Sequence, residues 1–212
     1  MISTSTLFRT CALATALSVA ACGNDGSTNV AQSSGEQNTC MSRGDYGWGG
    51  PFSLIDQTGT PVTQEDYMGR PTLMYFGYTV CPDACPVIME KITYALDELP
   101  EDMVHPRVML ISFDPERDTP EVLSAYVSNP YYPEDMVGLT GSDEQIREAA
   151  DAFQAIYSVS EQEDSAIGYV FDHSAAIYLM DENWEMDTFF IATENPRDMA
   201  DCMTNFLPQA EG

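Results

Sequence analysis

Hydrophobic and polar positions change period along the chain, and the changes predict alternating strands and helices. Apolar residues form compact runs at 71–77 and 107–113, each of a length suited to a buried strand. Between them, residues 84–99 place apolar side chains at spacings of three and four, which is typical of an amphipathic helix. The folded part of the chain therefore contains a strand, a helix and a second strand in that order.

The pattern continues towards the C-terminus with elements of both periods. We predict a hairpin at 51–63, a helix at 119–127, a strand at 137–140, a helix at 142–153, strands at 169–172, 175–180 and 188–191, and a helix at 196–206. Thr119 before Pro120, and Ser142 with Gln145 three residues later, are signals for helix N-termini. This order predicts an α/β fold in which a mixed sheet carries helices on both faces.

The N-terminus has the composition of an export signal. Apolar residues run from Cys11 to Ala21, which is too short to span a bilayer but typical of a signal-peptide core. Small residues before Cys22 resemble the lipobox at which bacterial lipoproteins are cleaved and lipidated. We therefore expect residues 1–21 to be a lipoprotein signal, and the protein to be exported and membrane-anchored by lipidated Cys22, facing the periplasm or cell exterior. A plain secretory signal with an incidental cysteine is the alternative.

The rest of the chain divides into a tether and one domain. Residues 22–47 are mostly small and polar and cannot bury enough apolar surface to fold, so we expect a flexible tether before a single domain at 48–212. The chain carries a formal net charge of −26, with acids spread along its length. This charge excludes nucleic acid as a partner because phosphates would be repelled. A generally acidic proteome explains this charge better than a dedicated cationic partner does.

The six cysteines fall into three pairs. Cys11 lies in the export signal and Cys22 is the expected lipid site, Cys81 and Cys85 lie four positions apart, and Cys40 and Cys202 lie near opposite ends of the mature chain. In an oxidising compartment, a disulfide between the last two would close a very long loop and stabilise the fold by roughly 4 to 5 kcal/mol. This hypothesis leaves the close pair for chemistry.

Cys81 and Cys85 lie where a predicted strand gives way to a predicted helix. A spacing of four residues stacks both sulfurs on one side of the first helical turn. The free N–H groups and the positive dipole end of a helix favour thiolates, so we expect lowered pKa values for both cysteines. Two adjacent thiolates suit copper(I), zinc or reversible disulfide formation.

A metal at this pair would need a third ligand, most often a histidine. The chain has two histidines. His105 lies in a predicted loop, where a solvated surface position is the ordinary interpretation, and His173 lies at the junction of two predicted strands. A lone histidine in such a place is more often a hydrogen-bonded polar residue than a ligand. The pattern alone therefore leaves the third ligand open.

Three blocks of sequence resemble the signature of the Sco/SenC family of copper chaperones for cytochrome c oxidase assembly. Residues 75–86 hold a Cys-Pro-x-x-Cys-Pro core, residues 111–120 hold Asp-Pro-Glu-Arg-Asp-Thr, and residues 170–174 hold Asp-His-Ser. The resemblance spans roughly residues 48–192. It is specific because the first two motifs rarely occur together by accident.

The resemblance implies the fold, the anchor and the ligands. A member of this family has a thioredoxin-like fold, is anchored to a membrane and binds copper as Cu(I) or Cu(II) through two cysteines and a histidine. These roles fall on Cys81, Cys85 and His173. The acidic positions Asp83, Asp114 and Asp118 also match the family pattern.

The function implied is that of a metallochaperone. Copper would pass by ligand exchange to the dinuclear copper centre of cytochrome c oxidase subunit II, or to another exported copper protein. The alternative is a thiol-disulfide oxidoreductase in which Cys81 and Cys85 reduce the cysteines of the copper-receiving partner. A peroxidase is a third candidate because peroxiredoxins share the fold class. The oxidoreductase and peroxidase alternatives predict an enzyme, whereas the leading interpretation predicts a metal carrier.

Two positions depart from the family pattern. Many relatives have a histidine just before the first cysteine, where this chain has Val80. The turn after His173 commonly contains Asp-Gly, whereas residues 181–184 here contain no glycine. Neither change touches the three expected ligands. Both bear on how a partner would be recognised.

Overall fold

Nine strands and four α-helices make up the part of the chain that the structure describes. The structure is a computed structural model and describes residues 40, 46–162 and 166–210. The strands are β1 (Ser53–Asp56), β2 (Pro61–Thr63), β3 (Thr72–Gly77), β4 (Arg107–Ser112), β5 (Val137–Thr140), β6 (Tyr157–Gln162), β7 (Gly168–His173), β8 (Ala176–Met180) and β9 (Met186–Ile191). The helices are α1 (Ala84–Asp97), α2 (Pro120–Val127), α3 (Asp143–Ala152) and α4 (Pro196–Met203), and a short 3-10 helix spans Gln64–Tyr67.

Seven of the strands form one sheet of mixed direction, in the order β2-β1-β5-β4-β3-β8-β9. The interior strand β3 pairs in parallel with β4 and antiparallel with β8, so that Tyr75 lies opposite Leu110 on one side and Ile177 on the other. The parallel pairs are connected through α1 and α2, as βαβ units require. The predicted mixed sheet is confirmed.

The two faces of the sheet bury different side chains because successive residues of a strand point to opposite faces. In β3, Leu73 and Tyr75 belong to one core, and Met74 and Phe76 belong to the other. The helices α1, α2 and α4 cover the first face, and α3 covers the second. The prediction of helices on both faces is therefore confirmed.

The helix N-termini follow the sequence signals. The hydroxyl of Thr119 accepts a hydrogen bond of 3.4 Å from the N–H of Val122. Ser142 and Gln145 bond reciprocally, each backbone N–H donating to the other side chain at 2.9 and 3.2 Å. These bonds satisfy N–H groups that have no partner inside the helix.

The strands β6 and β7 form a separate two-stranded hairpin. The sequence pattern predicts the second of them, at 169–172, and assigns no element to residues 157–162. Most side chains of β6 are exposed, so the strand lacks the apolar pattern of a buried one. It is held instead by Tyr157, whose ring stacks on Phe113 with centroids 4.3 Å apart.

A disulfide joins Cys40 to Cys202 in α4, as hypothesised from the cysteine positions. It ties the segment before the domain to the last helix across 162 residues. The predicted signal at residues 1–21, and the predicted tether at 22–47 apart from 40, 46 and 47, lie outside the described residues. Within residues 40, 46–162 and 166–210, every helix is too short or too polar to cross a bilayer.

Candidate metal centre

The loop between β3 and α1 places Cys81 and Cys85. Cys81 lies in the turn, and Cys85 is the second residue of the helix. The backbone N–H of Cys85 donates a 3.3 Å hydrogen bond to the sulfur of Cys81, so this sulfur caps the helix where the Asp83 side chain does not. Cys81 is 9% exposed and Cys85 is 1% exposed. Both cysteines are free thiols at the N-terminus of α1, as the sequence predicts.

Tyr75 reaches Cys85 from strand β3. Its hydroxyl donates a hydrogen bond of 2.9 Å to the sulfur of Cys85. The ring passes over Gly77, where an added Cβ would lie only 2.6 Å from a ring carbon of Tyr75. Glycine is therefore needed at 77 for Tyr75 to take this position. The sequence pattern assigns no role to Tyr75, although it lies in the first block that resembles the family.

The two thiols differ in acidity. A hydrogen bond from the Cys85 thiol, helped by His173 and by backbone N–H groups, lowers the pKa of Cys81 far below that of an ordinary thiol. The pKa of Cys85 is raised, because its proton is held by the sulfur of Cys81 and because the group is buried. The expectation of lowered pKa values for both cysteines is wrong for Cys85. The negative charge on the Cys81 sulfur makes ionisation of the neighbouring Cys85 thiol unfavourable.

His173 is the last residue of β7 and is half-buried. Its Nδ1 lies 2.9 Å from the carbonyl oxygen of Ser174, and because a carbonyl oxygen only accepts, Nδ1 is the donor in this contact and Nε2 is the nitrogen left to face the cysteines. The ring lies among three aromatic rings, with centroid distances of 5.4 Å to Phe113, 6.2 Å to Tyr75 and 6.3 Å to Tyr78. These contacts restrict the orientation of the imidazole.

The fold brings Cys81, Cys85 and His173 together although His173 is 88 residues from Cys85 in the chain. One ligand atom from each lies within 4.8 Å of the other two. Ligands of one ion in trigonal geometry are about 4 Å apart, so less than about 1 Å of closure is needed. Among the residues described, this is the one group of three such side chains, and His105 is not in it.

Asp118 fixes the loop that leads to Cys81. Its carboxylate accepts a 2.9 Å hydrogen bond from the N–H of Thr79 and further bonds from the hydroxyls of Thr79 and Ser112. Asp118 is fully buried, and burial raises its pKa. The acidic block that resembles the family thus contacts the loop two residues before the first cysteine.

Comparison with known proteins agrees with the geometry. The SCO1/SenC family model matches residues 41–207. A SCO2-like protein of Rickettsia prowazekii is 35% identical over 157 residues, which are 74% of this chain and 76% of its own.

Two solved structures extend the comparison. ScoI of Arabidopsis thaliana, solved with copper bound, has a TM-score of 0.70 and 37% identity over 74% of this chain and 96% of its own. BsSco, described as a member of the Sco family of cytochrome c oxidase assembly proteins, has a TM-score of 0.59 and 26% identity over 75% of this chain and 91% of its own. The fold is therefore thioredoxin-like, as the resemblance implies. By its family model and by its relatives, the chain belongs to the SCO1/SenC family.

Proposed function

We propose that the protein is a copper metallochaperone that binds one copper ion through the sulfurs of Cys81 and Cys85 and the imidazole of His173. The observation that carries the proposal is the convergence of these three ligand atoms within 4.8 Å. Thiolate ligands favour copper(I), and an added imidazole permits copper(II). Such a site suits a carrier that must hold its cargo in either state. The copper-bound relative from Arabidopsis thaliana supports copper over zinc.

Access to the site supports transfer by ligand exchange. A cavity of about 280 Å³ opens beside Cys81 and His173 and is also lined by Tyr78, Pro82 and Asp172. Cys85 lies deeper, at 1% exposure. An incoming ligand would therefore first meet Cys81 and His173, and Cys85 would release the ion last. A gradual exchange of this kind avoids free copper.

The receiver we propose is the dinuclear copper centre of cytochrome c oxidase subunit II. The description of BsSco's family as cytochrome c oxidase assembly proteins supports this choice. A lipid on Cys22 would hold the carrier at the membrane surface where such a receiver stands. Another exported copper protein with exposed thiol and imidazole ligands would meet the same chemical requirement.

The unequal thiols favour thiol-disulfide exchange as the second candidate function. The Cys81 thiolate would attack a partner disulfide, forming a mixed disulfide and releasing one partner thiolate. Cys85 would then give its proton to the released partner thiolate and attack the sulfur of Cys81. The Cys81–Cys85 disulfide forms, the second partner thiolate leaves, and two electrons have passed to the partner.

Mixing the copper-loaded, reduced protein with the copper-binding domain of a subunit II separates the two functions. If the receiver's cysteines are already reduced, the carrier function predicts copper transfer while Cys81 and Cys85 remain reduced. In a second mixture, of the copper-free, reduced protein with a receiver whose cysteines are oxidised, the exchange function predicts a Cys81–Cys85 disulfide and a reduced receiver. A protein that keeps its copper in the first mixture does not deliver to this receiver.

A further inference from the structure

Arg117 lies between β4 and α2, outside the group of expected ligands, and makes contacts in two directions. Towards the body of the domain, its Nε forms an ion pair with the carboxylate of Asp114. Asp114 is 1% exposed, so the pair is anchored on a buried group. Because the carboxylate is buried and bonds the guanidinium, it fixes the direction of the arginine side chain.

Towards the hairpin, Arg117 binds the first half of β7. Its Nη1 donates hydrogen bonds of 3.0 and 3.1 Å to the carbonyl oxygens of Ile167 and Tyr169. The guanidinium also lies over the ring of Tyr169, 3.7 Å from the centroid. The Tyr169 hydroxyl donates a 2.8 Å hydrogen bond to Asp114. Each of these three side chains, Arg117, Asp114 and Tyr169, thus contacts the other two.

A second attachment follows two residues further along β7. The backbone N–H of Phe171 donates a 3.2 Å hydrogen bond to the hydroxyl of Tyr78, which belongs to the loop before Cys81. The guanidinium of Arg117 lies 5.8 Å from the centroid of the Tyr78 ring. Because side chains of a strand alternate, Tyr169, Phe171 and His173 point to one face. The two anchored residues, Tyr169 and Phe171, therefore lie on the same face of β7 as the imidazole of His173.

The hairpin depends on such contacts for its position. Its strands pair only with each other in the described chain, and no ladder of backbone hydrogen bonds joins them to the seven-stranded sheet. Ring contacts with Phe113 hold its base. Charged and hydrogen-bonded contacts at the start of β7 come from Arg117, which bonds the carbonyl groups of residues 167 and 169, and from Asp114, which accepts from the Tyr169 hydroxyl.

We infer that Arg117 is a positioning residue that holds the β6–β7 hairpin so that His173 faces the two cysteines, an inference that rests on the proposed copper site. Arg117→Lys keeps a positive charge beside Asp114 but loses the planar guanidinium that bonds Asp114 through Nε and the two hairpin carbonyl groups through Nη1 at the same time. Tyr169→Leu weakens the same anchor from the hairpin side. Arg197→Lys is the matched control, because Arg197 is exposed and pairs with Glu98 on the surface.

The first measurement needs no copper. Diethyl pyrocarbonate modifies accessible imidazoles, and exposed His105 serves as the internal reference in the same molecule. Arg117→Lys and Tyr169→Leu should raise the ratio of His173 to His105 modification by about threefold or more, because local opening exposes the ring. Arg197→Lys should leave the ratio unchanged. The inference is overturned if Arg117→Lys and Tyr169→Leu both leave the ratio of His173 to His105 modification unchanged while thermal unfolding shows an intact fold.

The second measurement is a double-mutant cycle on copper(II) affinity. Arg117→Lys should weaken binding by about tenfold when His173 is present, which is the usual cost of losing an outer contact to a metal ligand. In the His173→Ala background the same change should alter copper affinity by less than about twofold, because the imidazole through which Arg117 acts is absent. An equal loss in both backgrounds overturns the inference. Equal copper binding by wild type and His173→Ala instead refutes the three-ligand site, while the modification ratio still decides whether Arg117 holds His173.

Discussion

The backbone N–H of Cys85 donates its hydrogen bond to the sulfur of Cys81, so the two cysteines at the start of α1 are chemically unlike. Cys81 is the acceptor with the lowered pKa, and Cys85 is the buried thiol that keeps its proton. This asymmetry assigns the two sulfurs different duties in either proposed function.

We predict that the copper-free, reduced protein is alkylated by iodoacetamide at Cys81 alone near pH 6. An ordinary thiol has well under about 1% thiolate there, whereas the lowered pKa of Cys81 leaves it ionised. Its rate should therefore stay nearly constant from pH 6 to 8, and peptide mapping would locate the label. A rate at Cys81 that climbs about tenfold per pH unit across this range would contradict the assignment.

Tyr75→Phe should weaken copper binding without unfolding the protein. The variant removes only the hydroxyl that donates to Cys85, and this hydrogen bond lowers the pKa of that sulfur. A hydrogen bond to a charged group contributes about 1.5–3 kcal/mol, so we expect an affinity loss of about tenfold or more at fixed pH. Tyr178→Phe, a buried tyrosine on the opposite face of the sheet, is the matched control. Equal losses in both variants would point to general packing.

Asp187→Asn should stabilise the protein at neutral pH. Burial, with Asp181 and Glu185 nearby, raises the pKa of Asp187 to about 6. Ionisation of Asp187 therefore lowers the free energy of unfolding. This cost is absent below the unfolded-state pKa of about 4 and complete above about pH 6. Because the group is half exposed, we expect a gain of only about 1 kcal/mol, or about 2–4 °C in Tm.

The pH dependence of this gain is the check. Thermal unfolding should show it at pH 7.5 and lose it by about pH 4. Asp102→Asn, at an exposed loop position, should change Tm little at either pH. A gain of the same size at both pH values would mean that ionisation of Asp187 is not its cause.

The sequence predicts the central sheet well because its signals are local. The apolar runs that become β3 and β4 and the caps at Thr119 and Ser142 lie within a few residues of the elements they define. The start of α1 is equally clear, and it places Cys81 and Cys85 without any knowledge of the rest of the fold. The disulfide between Cys40 and Cys202 follows from elimination among the cysteines.

The rest of the site depends on contacts between distant parts of the chain. His173 reaches the cysteines through a hairpin whose first strand is mostly exposed and carries no strong pattern. Only the resemblance to a family predicts it as a ligand. The raised pKa of Cys85 and the contacts of Arg117 follow from three-dimensional neighbours, and no local sequence rule contains them.

The most direct test of the central claim is copper(II) titration of the purified protein, followed by absorption and electron paramagnetic resonance, with His173→Ala and the control His105→Ala. We predict one copper per chain, a thiolate-to-copper absorption band and imidazole nitrogen coupling in the wild type and in His105→Ala. His173→Ala should lose the nitrogen coupling and bind at least about tenfold more weakly. The same affinity and spectrum in all three proteins would contradict a site shared by Cys81, Cys85 and His173.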